Sequence, residues 1–577
     1  MPLIPVSALL DLQHAHFAVV PVVAQAGTAL FPLIMLAVTS TVGLLLKPRE
    51  LLRVFRQKPW IPALLIALGL GSWWAVGWML SAPAAPPTSS RTQPTTVTSG
   101  GQRTDWAKVA LALIAEDAAA KERAGVTSST ILPVVPAPAL SLQPATTTTS
   151  AAHSAPPAAR FFRGDARRSG HLGGAAPRGL APSWTFYAQD ELNSLYLSSP
   201  LVAGEAVFGA SCYLDPPRSY GTVFRLDAAS GKPRWVCEFK NATSKAEFKG
   251  FFSSPALTAD GKYLVIGQGL HTDYDSELVC LDANTGTVRW LIPTPLHLES
   301  SPCIEGDLVV IGAGAVEQGD QHKPAGDVLG RGNPGFVLGI RISDGKEIFR
   351  APVNDPEGSP LLLDGICYVG SSMNGSAVVA LRTQSDAELK TAGQTRELWR
   401  TPTPFPASGA VTLAGELLLM GCGKGDFVFA AADPEGRVIA LDKTTGAVRW
   451  QTTVPDAVLG PIAVVGTVAI VPVRSGEVIA IDLAAQGKVL WQASINKKAP
   501  VLAGVAFTGT LVYAVSNDGY LVVLDATNGK PLERIYLNAK GKPGEMGLCT
   551  SSPLVLDGRL FVGSETGGLR CFVGTAP

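Results

Sequence analysis

The stretch ALDKTTGAVRW, residues 440–450, decides the fold, because close copies of it recur along the C-terminal part of this 577-residue chain. In each copy an apolar run ends in Leu-Asp or a relative of it, a turn follows with a Gly, and a second run carries Trp or Arg. The Asp can accept hydrogen bonds from turn amides, and the Gly can take a positive φ. The copies end at Trp235, Trp290, Arg350, Trp399 (stretched), Trp450, Trp491 and Arg534. The turn residues of the clearest copies are Asp227, Asp282, Asp442 and Asp525, with Gly231, Gly286, Gly446 and Gly529.

A second marker, Ser-Ser-Pro or a weaker form of it, precedes each copy. The pairs are Ser199-Pro200, Ser254-Pro255, Ser301-Pro302, Ser359-Pro360, Ser408-Gly409, Gly460-Pro461, Ala499-Pro500 and Ser552-Pro553. Each unit also resolves into four short runs of alternating apolar residues, as in PIAVVG, TVAIVPV, GEVIAID and KVLWQAS of the sixth unit. Four-stranded units that repeat every roughly 40–60 residues predict a β-propeller with one blade per unit.

The number of blades follows from the two chain ends. There are eight markers but seven complete units, since the last unit stops after three runs. The run SWTFYA, residues 183–188, precedes the first marker and carries Trp184, so it can supply the missing outer strand. The fold predicted is therefore all-β: an eight-bladed β-propeller of four-stranded antiparallel blades, closed by N- and C-terminal strands. Large apolar fillers between adjacent blades are predicted at Trp184, Trp235, Trp290, Trp399, Trp450 and Trp491.

These units resemble the PQQ-type β-propeller repeat family, named after the pyrroloquinoline-quinone dehydrogenases. The Leu-Asp-x-x-[Thr/Ser]-Gly-x-x-x-Trp copies and the Ser-Ser-Pro starts carry the resemblance over residues 180–577, and FFRGDARRSG at 161–170 resembles the lead-in of such proteins. The motif implies the fold and not the cofactor, because many members bind no quinone. One similar member is the non-enzymatic periplasmic propeller lipoprotein of the outer-membrane β-barrel assembly machinery.

The sequence departs from the dehydrogenases at the positions that carry their chemistry. Those enzymes have a disulfide between neighbouring cysteines, whereas all eight cysteines here are isolated. Their Glu/Asn/Asp calcium site and catalytic Asp cannot be assigned. We therefore predict no catalytic residue, no metal and no cofactor; the alternative is a PQQ- and calcium-dependent dehydrogenase of alcohols or sugars. The cysteines are expected to be buried as small apolar residues, although an oxidising compartment leaves one or two disulfides open.

Residues 1–82 are typical of a membrane anchor. The runs 30–46 and 60–80 contain no charge, and the loop 47–58 between them has five basic residues against Glu50. Each run is long enough to cross a bilayer, and short basic loops stay in the cytoplasm. We predict two transmembrane helices in the bacterial inner membrane, with the propeller on the periplasmic side. A cleaved signal peptide fits less well, since no Lys or Arg precedes residue 47; a single anchor is the other alternative.

Residues 83–160 are rich in Pro, Ala, Thr and Ser and are predicted to be a disordered linker. A short helix over 105–123 could serve as part of the tether or as a docking segment. Residues 161–577 then form the propeller domain. No lipid-acceptor Cys lies near the N-terminus, so the two spans would replace the lipid of the assembly lipoprotein.

The long loops of the predicted propeller lie on one face. With strands A to D alternating in direction, the variable B–C and D–A connections leave the same end of every blade. They contain the candidate residues His271, Asp273, Asp275, Glu317, Asp320, His322, Asp327 and Arg331. Such residues suit a solvated loop, a protein- or glycan-contact surface, or a metal or catalytic site.

The composition narrows the class of partner. Lys and Arg number 47 against 47 Asp and Glu, which argues against a nucleic-acid partner. The function predicted is a membrane-tethered extracytoplasmic scaffold that binds a protein partner through its long-loop face, in cell-envelope or outer-membrane protein assembly.

Overall fold

The computed structural model describes residues 161–576, apart from 189–193, 216–217, 239–247, 271–275, 315–334, 373–374, 428–429, 496–498 and 540–547. The predicted anchor at 1–82 and the linker at 83–160 lie outside the described residues. Within the described ranges, no helix has the length and apolar character that a bilayer crossing needs.

The described strands form eight separate antiparallel sheets, so the predicted eight-bladed propeller is confirmed. In each blade, strand A lies next to the axis and strand D forms the outer edge. Blades 1 to 4 comprise Leu201–Ala203, Ala206–Asp215, Arg218–Asp227 and Pro233–Cys237; Ala256–Leu257, Tyr263–Gly267, Ser276–Asp282 and Val288–Thr294; Cys303–Glu305, Leu308–Ala313, Phe336–Arg341 and Glu347–Pro352; Leu361–Leu363, Ile366–Ser371, Ala377–Arg382 and Glu397–Pro402.

The second half of the ring repeats this pattern. Blades 5 to 8 comprise Thr412–Ala414, Leu417–Gly423, Gly436–Asp442 and Val448–Val454; Ala463–Val465, Val468–Val473, Glu477–Asp482 and Lys488–Ser494; Ala506–Phe507, Leu511–Val515, Tyr520–Asp525 and Pro531–Tyr536; Leu554–Leu556, Arg559–Gly563, Leu569–Ala576 and Arg178–Phe186. Among the described residues, two additions interrupt the regularity: a short strand, Ser194–Leu195, that pairs with strand B of blade 1, and a helix, Asp386–Thr391, between strands C and D of blade 4.

The two chain ends close the ring as predicted. The outer strand of blade 8 comes from the N-terminal side, with Trp184 opposite Cys571 and Phe186 opposite Leu569. This strand covers Arg178–Phe186, so the predicted span of 183–188 was wrong at both ends. It starts earlier because Arg178 finds a partner in Ala576, beyond the apolar pattern on which the prediction relied.

Each tryptophan joins two blades. The indole of Trp184 packs against Gly231 in the C–D turn of blade 1, where an added methyl group would lie 2.5 Å from the ring. The same contact recurs around the ring with Gly286, Gly345, Gly446, Gly487 and Gly529 against Trp235, Trp290, Trp399, Trp450 and Trp491. The tryptophans are half-buried and not enclosed, because strand D is the outer edge of the blade. Glycine is needed at these turns for its positive φ and for the close approach of the indole.

The turn aspartates have the predicted structural role. Asp227 accepts hydrogen bonds from the amide and the hydroxyl of Ser230, at 2.9 and 2.8 Å, and from Arg234 at 2.7 Å. These bonds, the Ser230 hydroxyl foremost, lower the pKa of Asp227 to about 2. Similar bonds lower the pKa of Asp282, Asp442 and Asp525.

All eight cysteines are buried, which confirms the predicted burial. All eight also carry free thiols, so none of them forms the one or two disulfides that the sequence left open. They pack in the apolar clusters between blades, as Cys280 does beside Val265 and Leu338. Burial raises the pKa of Cys280 and Cys422 to about 12, which keeps these thiols protonated at neutral pH.

Candidate functional site: the axial pocket

The Ser-Ser-Pro markers build a ring around the propeller axis. The second serine of one blade accepts a hydrogen bond from the equivalent amide of the preceding blade. Thus Ser552 N–H donates to Ser199 Oγ at 2.8 Å, and Ser199 N–H donates to Ser254 Oγ at 3.0 Å. In the same way, Ser254 N–H donates to Ser301 Oγ at 3.0 Å, and Ser301 N–H donates to Ser359 Oγ at 2.9 Å. The marker therefore ties neighbouring inner strands together across the closure of the ring.

The weak markers of blades 5 to 7 were misplaced by one to five residues. Strand A of blade 7 begins at Ala506, and Gly504 N–H donates to Ser552 Oγ at 2.9 Å, so Gly504 and not Ala499 takes the serine position. By the same register, Ala410 and Pro461 occupy this position in blades 5 and 6. Residues without a hydroxyl replace serine there, which is why the pattern faded in the sequence.

A second ring lies two residues upstream of the first and faces the long-loop end. Both rings line one axial pocket. In blade order, the upstream ring consists of Leu197, Phe252, Glu299, Glu357, Ser408, Leu459, Leu502 and Thr550. The pocket leaves about 60 Å³ in which the centre of a water-sized molecule can lie, which is room for a few water molecules.

The lead-in segment 161–170 closes the pocket from below. The carbonyls of Arg167, Ser169 and Gly170 accept hydrogen bonds from Leu413, Val464 and Phe507, in the inner strands of blades 5, 6 and 7. Asp165 stabilises the turn by accepting bonds from the amide and the hydroxyl of Ser169, at 2.9 and 2.7 Å. The segment is therefore pinned across the axis and presents Phe162 to the pocket as its floor.

Two buried arginines hold this floor. Arg168 is fully buried and donates through Nε and Nη2 to the Pro360 carbonyl, at 2.9 and 2.6 Å, and through Nη2 to the Ser301 carbonyl at 3.2 Å. Its guanidinium also lies 5.3 Å from the Phe162 ring centre. Arg163 donates to the Val505 carbonyl on the other side of the axis. Burial lowers the pKa of Arg163 to about 9, so the group still carries its charge at neutral pH.

Phe427 forms a lid over part of the pocket. It comes from the B–C connection of blade 5, yet its ring lies 6.0 Å from that of Phe252 in blade 2, at an interplanar angle of 77°. Phe427 also packs against Leu459 and Leu502 of the upstream ring. Three phenylalanine rings therefore surround the pocket: Phe162 below, Phe252 in the wall and Phe427 above.

The charge of the pocket is one-sided. Glu299 and Glu357 lie in adjacent blades 3 and 4, whereas leucine fills the upstream ring at blades 6, 7 and 1. Glu299 is only 8% exposed. Glu357 Oε1 lies 3.6 Å from Nε2 of the buried His297. Among the described residues that line the pocket, none is Lys or Arg.

The described lining offers no cationic partner to the quinone cofactor of the alternative prediction. That cofactor carries three carboxylates, and the described wall offers it two further carboxylates and no facing cation. The part of the chain that the structure describes also has no cluster of three or more His, Cys, Asp or Glu side chains arranged to hold a metal ion. No step of quinone chemistry can be derived from these residues.

The structure does not describe the loop residues singled out in the sequence. His271, Asp273, Asp275, Glu317, Asp320, His322, Asp327 and Arg331 all lie outside the described residues. Sequence reasoning missed Glu299, Glu357 and Phe427. An alignment of the repeats could have revealed Glu299 and Glu357. Both lie two residues before the serine position, where the other blades have Leu, Phe, Ser or Thr.

The chain is similar to known proteins over much of its propeller. The family model described as outer membrane protein assembly factor BamB matches residues 219–323 and 385–576, which together make up just over half of the chain. The BamB protein of Burkholderia pseudomallei is 26% identical over 329 residues, covering 54% of this chain and 71% of that protein. The BamB protein of Nitrosomonas eutropha is 30% identical over 139 residues, covering 23% of this chain and 30% of that protein.

One solved structure illustrates how widely the fold is shared. The quinohemoprotein alcohol dehydrogenase of Comamonas testosteroni superposes with a TM-score of 0.51 at 13% identity, covering 74% of this chain and 82% of that one. At this identity the likeness concerns the fold alone. The repeats, the closed ring of eight blades and the family match agree with one another, and the chain belongs to the PQQ-type β-propeller family of the outer membrane protein assembly factor BamB.

Proposed function

We propose that this protein is a non-enzymatic, membrane-tethered scaffold that binds a protein partner during outer-membrane protein assembly. The propeller would stand on the periplasmic side of the inner membrane, and the partner would bind to the long-loop face. The family match supports the assembly role, because the matching family and the curated relatives carry that function in their names. The tether is inferred from the two uncharged runs in residues 1–82.

The observation that carries the proposal is the position of the pocket. The axial pocket opens at the same end of the blades from which the B–C and D–A connections leave. Variable connections on a rigid ring are where propellers hold their partners. The candidate loop residues from His271 to Arg331 would then contact the partner around a central recess.

Photo-crosslinking in intact cells tests the face that binds. Asp433 and Asp386 form a matched pair: their side chains are 82% and 83% exposed, and each makes one surface ion pair. Asp433 lies in the B–C connection of blade 5 on the long-loop face, whereas Asp386 lies on the opposite face, in the C–D connection of blade 4. A photo-reactive amino acid is introduced at each position in the full chain, and the crosslinked proteins are identified by mass spectrometry.

We expect a component of the outer-membrane assembly machinery at position 433 and little or no crosslinking at position 386. Equal crosslinking at both positions, or crosslinking at 386 alone, would refute the long-loop face as the binding surface. Deleting the gene should also lower the amounts of β-barrel proteins in the outer membrane, and unchanged amounts would count against the assembly role.

The dehydrogenase alternative makes a separate prediction. For a non-enzymatic scaffold, adding quinone and calcium to the purified chain should yield no cofactor absorbance and no dye-linked oxidation of alcohols or sugars. Turnover that depends on both additions would overturn the scaffold proposal.

A further inference from the structure

The outer strands of the blades differ in their protection against pairing with another chain. A strand at the edge of a sheet presents unpaired N–H and C=O groups, and charged residues and proline on that strand discourage a second chain from pairing with them. Seven of the eight outer strands contain an arginine, and six of these also contain a proline. The outer strand of blade 6, Lys488–Ser494, contains neither. Blade 6 therefore has the least protected edge among the eight blades.

The same strand exposes two adjacent apolar side chains, Val489 and Leu490, which are 41% and 40% exposed. Leu490 is the extra residue of a bulge opposite strand C. All eight outer strands have a bulge at this place, so the bulge does not set blade 6 apart. Beyond the bulge the pairing with strand C is regular as far as Ser494. This segment, Val489–Ser494, forms the blade 6 edge.

The regular part of the blade 6 edge directs two backbone donors outward. Ile495, the next residue, donates its N–H inward to the Gly476 carbonyl at 3.0 Å. Because the N–H groups of consecutive strand residues point to opposite sides, the N–H groups of Ser494 and Gln492 point away from strand C. The side chains of both residues are exposed. An extended segment beside the edge can accept both hydrogen bonds and so continue the sheet by β-strand addition.

The charges beside the edge favour an acidic residue in that segment. Lys488 begins the strand, and Lys530 lies in the blade 7 turn that packs on Trp491; both lysines are exposed. Asp482 and Asp525 also lie nearby, but each accepts a hydrogen bond from an amide of its own turn, at 2.9 and 2.8 Å. The edge itself carries no charge. A matching segment is therefore neutral along the edge and acidic at the end next to Lys488.

We propose that the blade 6 edge pairs with one extended strand of the partner protein, neutral along Val489–Ser494 and acidic next to Lys488. Strand D runs from the C–D turn to the D–A connection, so Ser494 lies at the end of the edge that meets the long-loop face. One partner can therefore bind over the long-loop face and continue along the rim. This inference rests on the proposed function, because it takes the partner from that proposal and assigns it a second contact.

Photo-crosslinking in intact cells compares the blade 6 edge with a protected edge. Leu490 and Leu532 take equivalent positions in the outer strands of blades 6 and 7 and are 40% and 39% exposed. The strand of blade 7 also contains Pro531, Glu533 and Arg534. A photo-reactive amino acid is introduced at each of the two leucine positions in the full chain. We expect position 490 to crosslink the same protein as position 433, at least about fivefold more than position 532 does.

A proline then tests the backbone contact itself. Ser494→Pro removes the outward N–H of residue 494, and the fold accepts proline there, since Pro352 and Pro402 occupy the equivalent position in blades 3 and 4. Ser494→Ala is the matched control, because it keeps the N–H. With the photo-reactive residue at position 490, the Pro variant should crosslink about threefold to tenfold less than the Ala variant, which should match the unaltered chain. Equal melting temperatures of the purified chains would show that both variants are folded.

The proposal would be overturned by no crosslinking at position 490, by equal crosslinking at 490 and 532, by equal crosslinking of the Pro and Ala variants, or by a second copy of this chain as the product at 490. The proposed function can fail separately. Crosslinking of an assembly component at position 433 would survive any of these results. Crosslinking at 490 that Ser494→Pro weakens, without any at 433, would support the strand contact and exclude the long-loop face as the binding surface.

Discussion

Replacing Trp184 by Ala tests the closure of the ring at the seam between the chain ends. The indole packs against Gly231 of blade 1 and lies 6.0 Å from the ring of Phe561 in blade 8. Its Nε1–H donates to the Ala228 carbonyl at 3.1 Å. The substitution removes these contacts from the outer strand of blade 8 and leaves the backbone pairing in place.

The expected loss follows from the burial of the side chain. A fully enclosed aromatic residue buries about 150–250 Å², and half of this at about 25 cal/mol per Å² corresponds to about 2–3 kcal/mol. The lost hydrogen bond adds little, because the Ala228 carbonyl keeps a second donor, Arg559 Nη1, at 2.8 Å. We therefore expect unfolding to become easier by about 2–3 kcal/mol, below the value of about 3–5 kcal/mol for a fully buried aromatic residue.

Urea unfolding of the full chain, followed by circular dichroism, measures this loss. Trp450→Ala is the matched control, since Trp450 makes the same contact with Gly487 inside the ring, away from the seam. Both variants should lose similar stability, and Trp184→Phe should lose about 1 kcal/mol less than Trp184→Ala because it keeps an aromatic ring. A cost below about 0.5 kcal/mol for Trp184→Ala beside a full cost for Trp450→Ala would refute the closed seam.

Three further predictions concern the chain ends and the turns. A chain that starts at residue 195 lacks the outer strand of blade 8 and should aggregate through the open edge, whereas one that starts at 161 should stay dispersed in size-exclusion chromatography. The stabilising effect of Asp227 should be complete above its usual pKa near 4 and should disappear as the pH falls towards about 2. The melting temperatures of the wild type and Asp227→Asn should therefore converge over that pH range. A difference in melting temperature that stays constant would exclude the hydrogen-bonded carboxylate as the source of the effect. Reporter fusions after residue 90 should be active in the periplasm and fusions near Arg53 in the cytoplasm, and the reverse pattern would overturn the predicted topology.

The fold could be predicted because its determinants are local and repeated. The Leu-Asp-x-x-x-Gly turn sets the C–D hairpin, and the following tryptophan packs on the equivalent glycine of the next blade. The sixth unit shows the accuracy of this pattern: its four predicted runs contain the four strands Ala463–Val465, Val468–Val473, Glu477–Asp482 and Lys488–Ser494. The start of the closing strand was missed because Arg178 and Gly179 carry no apolar signal; Arg178 pairs with Ala576, and the Gly179 carbonyl accepts a hydrogen bond from the Thr575 hydroxyl at 2.5 Å.

The pocket could not be predicted in the same way. Phe427 contacts Phe252 from a blade on the other side of the axis, and no local sequence pattern predicts a contact between residues so far apart in sequence. The lead-in segment resembled a family feature, yet its role as the pocket floor depends on bonds to three different blades. Long-range contacts of this kind form only when the ring is closed, so no single stretch of sequence predicts them.

Positions that recur among the repeats and positions that line the pocket have different roles. Positions that recur, such as the serine that receives the amide of the preceding blade in five of the eight blades, make these blades alike and so favour a symmetric ring. A symmetric ring cannot distinguish one side of a ligand from another. The two sides of the pocket can therefore be told apart only at positions where the repeats differ. Two residues before the serine position, Glu299 and Glu357 lie on one side of the pocket and leucines lie on the other. Because Glu299 and Glu357 lie outside the paired strands, a change at these positions alters the pocket lining without altering the strand pairing.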